Sequence, residues 1–161
     1  MNKIPVLEQI IIALRRDLST LQNAVKVAHE SATHGESVAE NKYDTRGLEA
    51  AYLAHGQAKR AEQIESALRV YEAISPQLLQ SQRSEVELSS LVQLIDQDDL
   101  KRWLWLGEDA GGLKFSFDNK AITIVTPQSP LGAALMGRKQ GVAFELRVAD
   151  HLMEYEIISL N

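Results

Sequence analysis

Residues 5–34, PVLEQIIIALRRDLSTLQNAVKVAHESATH, set Leu7, Ile11, Leu14, Leu18, Leu21, Val25, Ala28 and Ala32 at alternating spacings of four and three. That alternation is the seam of a coiled coil, with charged residues between the seam positions. Pro5 suits a first helical turn, and no proline follows it in this stretch. A helix of this length extends roughly 45 Å at 1.5 Å per residue. Residues 45–74 thread the same way, through Ala50, Ala54, Gln57, Ala61, Ile64, Leu68 and Tyr71. Both seams run from bulky to small toward the segment between them. If the helices fold back on each other, small meets small near the turn and large meets large at the base. The matched taper favours an antiparallel hairpin over a parallel dimer or a generic bundle.

The chain has 161 residues and a formal net charge of −5. Residues 1–74 hold nine Lys or Arg against ten Asp or Glu, and the remainder eight against twelve. A protein built to grip duplex DNA carries a basic surplus, so nucleic acid is not expected as the primary partner. A protein partner with basic surfaces fits better. No apolar run approaches the roughly 20 residues that span a bilayer, and no signal peptide is visible. With no cysteine, disulfides and thiolate metal sites are excluded. A cytoplasmic protein with no membrane partner is expected. His29, His34, His55 and His151 are scattered and do not form a zinc pattern.

After Ser75-Pro76 the periodicity changes. Residues 75–86 read as a polar, proline-interrupted linker, and residues 87–161 as a β-rich domain. Short apolar or alternating runs (ELSSLVQLI, KRWLWLG, KFSF, ITIVT, AFELRV, MEYEIISL) are separated by Gly107, Gly111-Gly112, Asp118-Asn119 and Gly141. The expectation is a small antiparallel sheet with one short helix, Pro130 to Gly137. Ser129 caps that helix, proline opens it, and Gly137 is placed to stop it. Trp103 and Trp105, two apart, share one face of their strand and read as core or interface. A helical half followed by a strand half predicts an α+β chain of two domains.

The stretch TPQSPLGAALMGRKQGVAFEL with the terminal MEYEIISL resembles the C-terminal end of the GreA/GreB family of bacterial transcription elongation factors. The matching positions are Ser129, Pro130, Leu131, Gly132, Ala134, Leu135, Gly137, Lys139 and Gly141. The resemblance implies an FKBP-like second domain that docks at the rim of the RNA polymerase secondary channel. Ser129, Pro130, Leu131, Arg138 and Lys139 are then the docking candidates. FKBP-like topology does not by itself imply prolyl isomerase activity. The same motif has a purely structural reading, as the cap, stop and turn of one short helix.

Between the helices lies the segment HGESVAENKYDTRGLE, residues 34–49. In Gre factors the hairpin tip enters the secondary channel, where two carboxylates help hold a second Mg²⁺ shared with polymerase and orient the water that cleaves backtracked RNA. The resemblance makes Glu36 and Glu40 the chelating pair and Asp44 a third acid, with Asn41 and Tyr43 shaping the tip. The protein would be no enzyme alone but an accessory factor completing the polymerase's hydrolytic site. It would touch nascent RNA only indirectly and would not bind DNA independently. Family tips read Gly-Asp-x-x-Glu-Asn-x-x-Tyr, whereas here Gly35-Glu36 precedes Glu40-Asn41 by one residue more and Tyr43 follows one residue early. The alternative role is therefore a secondary-channel regulator that binds without cleaving. The local alternative is an ordinary acidic turn in which Asn41, Asp44 or Thr45 caps the second helix. A relative of the family that regulates nucleoside diphosphate kinase has a shorter hairpin than this one.

Overall fold

The computed structural model describes residues 1–33, 46–81 and 83–161. Helix α1 spans Lys3–Thr33 and α2 spans Arg46–Glu72. Both pass between two compact units, one made of Met1–Ile11 with Val70–Asn161 and the other of Ile12–Arg69. Because α1 leaves the first unit and α2 returns to it, the two helices run antiparallel. This division falls inside both helices. The polar stretch read as a linker contains a single-turn helix, α3 (Pro76–Gln80), whose Leu79 is buried. None of the described helices is long and apolar enough to cross a membrane.

In the unit of residues 12–69 the burial follows the seam. Leu14 is buried and Leu18, Leu21 and Val25 are half-buried, while Arg15, Arg16, Ser19, Thr20, Gln22, Asn23, Ala24, Lys26 and Val27 are exposed. On α2, Gln57 and Ala61 are half-buried and Ile64 and Leu68 buried. Burial deepens toward the bulky end of each seam, as the taper requires. Ala28, Ala32, Ala50 and Ala54 fall outside the residues whose side chains are described.

The other unit is built on a six-stranded sheet: β1 (Leu91–Asp96), β2 (Lys101–Leu106), β3 (Lys114–Phe117), β4 (Lys120–Val125), β5 (Ala143–Val148) and β6 (His151–Leu160). The strand order is β3-β4-β2-β1-β6-β5. The sheet is not purely antiparallel, as its sequence suggested, because β4 pairs with β2 in parallel register, Trp103 beside Ile122 and Trp105 beside Ile124. The reason is the connection after β2. Residues 107–113 carry the chain past one strand position, and the β3–β4 hairpin then turns back into the gap. Asp118 and Asn119, at φ 51° and 56°, make the two-residue turn of that hairpin.

One sheet face holds Val92, Leu94, Leu104, Leu106, Phe144, Tyr155 and Ile157, which form a core with Val86 and Leu135. Leu135 belongs to a short helix, α4 (Pro130–Leu135). Complete burial of an aliphatic side chain of this kind is worth about 1.5–3 kcal/mol. On the opposite face Leu91, Trp105, Ile122 and Ile124 are fully buried. Val6, Leu7 and Ile10 of α1 and Tyr71 of α2 are buried in the same unit. The Tyr71 hydroxyl donates to the Asp109 carbonyl at 2.8 Å. Gly107 is required there, since a Cβ would lie 2.1 Å from the Tyr71 oxygen.

Two buried charged residues have opposite environments. Asp96 accepts through Oδ1 from the amides of Asp98 and Leu100 at 3.1 and 3.0 Å, and through Oδ2 from Arg102 at 2.9 Å. Its carboxylate thus holds the β1–β2 turn closed. Lys3, 4% exposed, has a buried Nζ with no hydrogen-bond partner among the described residues. Its pKa is lowered, first by burial and then by the nearby Arg83 guanidinium, with Glu87 opposing.

Candidate functional site

The segment Thr126–Gly141 brings the five candidate docking residues onto one cap, helix and turn. Ser129 Oγ donates to the Thr126 carbonyl at 2.8 Å and accepts from the Gly132 amide at 3.1 Å. It therefore caps α4 as its sequence position suggested. Pro130 opens the helix without losing a hydrogen bond, because its position needs no amide. Gly132 is buried so closely that a Cβ would stand 2.0 Å from the Thr126 carbonyl oxygen. Gly137, at φ 72°, takes the left-handed conformation that ends the turn, and its amide donates to the Val86 carbonyl at 2.8 Å. The Val86 amide in turn donates to the Arg138 carbonyl at 2.7 Å, tying the turn to the core.

The same geometry separates structural from presented side chains. Leu131 packs against the core cluster, and Ser129 is committed to the cap. Arg138 lies with its guanidinium 4.7 Å from the Phe144 ring centroid and donates through Nε to the Ala134 carbonyl. Arg138 is thus largely a packing residue. Pro130 and Lys139 are exposed. Met136, 43% exposed, adds apolar surface beside them. The sequence reading missed Met136, whose signal was a large apolar residue directly before the stopping glycine. What this turn offers a partner is a small patch of one ammonium and two apolar side chains.

Glu36, Glu40, Asn41, Tyr43 and Asp44 lie outside the described residues. Among the described residues no three His, Asp or Glu side chains gather in a way that would hold a metal ion.

No protein-family model matches the chain. Two curated relatives match along the whole of it. The transcription elongation factor GreA of Ruegeria pomeroyi is 23% identical over 168 aligned residues, covering 100% of this chain and 99% of that protein. The GreA of Alkalilimnicola ehrlichii shows the same identity and the same coverage. The GreA/GreB resemblance drawn from the sequence is borne out by this full-length similarity. Among solved structures, the transcription factor Gfh1 is 21% identical, with a TM-score of 0.41 over 96% of this chain and 92% of that one.

Proposed function

We propose that this chain is a Gre-type transcription elongation factor that binds RNA polymerase at its secondary channel and stimulates cleavage of backtracked RNA. The observation that carries this reading is similarity along the entire chain to two proteins named transcription elongation factor GreA. The two-part architecture supports it: a pair of long helices, α1 and α2, and a six-stranded sheet domain. Docking would use the α4 turn, chiefly Pro130, Met136 and Lys139, with Ser129, Leu131 and Arg138 holding its shape.

The tip acids Glu36 and Glu40, with Asp44, are proposed to contribute oxygen ligands to a Mg²⁺ held jointly with polymerase. Carboxylates suit that hard cation, which favours oxygen donors and keeps several waters. When bound there, Mg²⁺ supplies Lewis-acid activation of water and phosphate. The chain itself supplies carriage and positioning and has no hydrolytic activity of its own. One observation favours a second reading, a secondary-channel regulator that does not cleave. Glu36 and Glu40 stand four apart, one more than the family tip, and misplacement of a reacting group by about 1 Å costs on the order of a hundredfold in rate.

Backtracked elongation complexes incubated with Mg²⁺ separate the two. Shortening of RNA 3′ ends by the wild type, lost in Glu36→Ala and Glu40→Ala, supports cleavage. Stable association without shortening leaves the regulatory reading. No association with polymerase removes both.

A further inference from the structure

The sheet face that carries Trp105 is only partly covered. Its row Ile124-Trp105-Leu91 is fully buried. Strand register places Phe115, Ile122 and Trp103 side by side in the next row, and Phe117, Lys120 and Lys101 in the row beyond. Ile122 is buried, but Phe115, Phe117 and Trp103 are half-buried and Lys101 is exposed. The Lys120 ammonium stands 5.8 Å from the Trp103 ring centroid. The Lys120 side chain thus stands over one face of the Trp103 ring, and a stacking base would displace it. Its ion pair to Asp118, at 3.3 Å, joins two exposed side chains and holds it weakly.

Charge is also segregated across the sheet. On this face strands β2, β3 and β4 present Lys101 and Lys120 and no Asp or Glu, Arg102 and Lys114 lying on the other face, while β5 and β6 carry Glu145, Glu154 and Glu156 against Arg147. A net charge of −5 for the chain thus conceals a local basic surface. Flat aromatic rings interleaved with lysines on a sheet suit unpaired bases, which stack on any π-face while phosphates meet the ammonium groups. A duplex keeps its bases stacked inside and offers the aromatics nothing. An acidic peptide would engage the lysines and leave the rings unused.

We propose that the β2–β4–β3 half of this face binds single-stranded RNA, with bases stacking on Trp103, Phe115 and Phe117 and phosphates meeting Lys101 and Lys120. This goes beyond the polymerase reading and does not depend on it, because the test uses the free protein.

The full chain is titrated with a fluorescein-labelled uridine oligomer of about 12 nucleotides at about 50 mM salt, following anisotropy and tryptophan emission. The same-sequence single-stranded DNA, a duplex of equal length and a poly-glutamate peptide serve as further arms. Saturable RNA binding is expected, with quenching of tryptophan emission; Trp105 is fully buried, so the quenched residue is Trp103. The double variant Lys101→Glu/Lys120→Glu should weaken binding by about tenfold or more, and Phe117→Ser should reduce both affinity and quenching. The two lysines lie on the surface, so the double variant keeps the test valid even if the phenylalanine variant folds poorly. Equal binding of DNA and RNA would support the stacking platform and remove the preference for RNA. Absence of RNA binding, unchanged affinity in the lysine variant, or tighter binding of poly-glutamate than of RNA would overturn the proposal.

Discussion

Lys3 and Tyr71 show how single side chains tie the helix bases into the sheet unit, and at what cost. Lys3 carries an ammonium with no hydrogen-bond partner among the described residues, in a place where its charged form is disfavoured. Its folded pKa lies below the ordinary 10.5, so between the two values the unfolded chain binds the extra proton. The burial cost is fully present below the folded value and fades as pH rises toward 10.5, so stability rises through that window. Lys3→Met should therefore raise the melting temperature at pH 7, by about 2–4 °C for each 1 kcal/mol relieved. The advantage should shrink on the approach to pH 10.5, and thermal melts across pH check both signs. Tyr71 works the other way. Burial, then the charges of Asp109 and Glu108, push its pKa up, so the fold holds it neutral and donating to the Asp109 carbonyl. Tyr71→Phe should cost about 1 kcal/mol in denaturant melts, since the carbonyl loses its partner while packing is kept.

At the level of elements, α4 and its flanking turns were almost fully legible. Serine, proline and glycine at fixed offsets left one local solution, and the Ser129 cap, the Pro130 start and the Gly137 stop all occur. Gly132 was different. A mid-helix glycine reads as a weak point, yet here it admits the Thr126 carbonyl at a distance no side chain permits. Gly132→Ala should destabilise by on the order of 1–3 kcal/mol. Gly56, in the middle of α2, makes the contrast, since beyond its own helix backbone an added Cβ meets nothing within 4 Å among the described residues. Gly56→Ala should stabilise by about 0.5–1 kcal/mol. Parallel melts of the two variants would show opposite shifts. The strands too were legible as runs, but their pairing was not. KFSF and KAITIV announce a hairpin through Asp118-Asn119, yet nothing in their alternation says that the hairpin lies beside β2 and makes one pair parallel. That pairing is non-local, and only the seven-residue connection before it hints at the skipped position. The single turn of α3 was hidden by its proline and polar residues, which suit a first helical turn as well as a linker.

Across the whole molecule, the two units bury their side chains to different depths. Strands β1, β2 and β6 lie inside the sheet, while residues 15–27 of α1 have half-buried seam residues among mostly exposed ones. Amide exchange should be slowest in β1, β2 and β6 and faster by orders of magnitude over residues 15–27, because local opening exposes little apolar surface there. A uniform exchange rate across both would contradict this division. The hairpin and the sheet domain were readable because each has its own period, and the taper of the seams gave the helix direction. The tip acids remain a matter of spacing along the sequence.

The central claim is that this chain is a polymerase-binding factor, and direct association tests it most simply. Labelled protein titrated with purified bacterial RNA polymerase should show saturable binding. An excess of unlabelled GreA should compete with it, and Lys139→Glu should weaken it by about tenfold through the reversed charge at the docking turn. No saturable binding, or binding that GreA leaves untouched, would contradict the account.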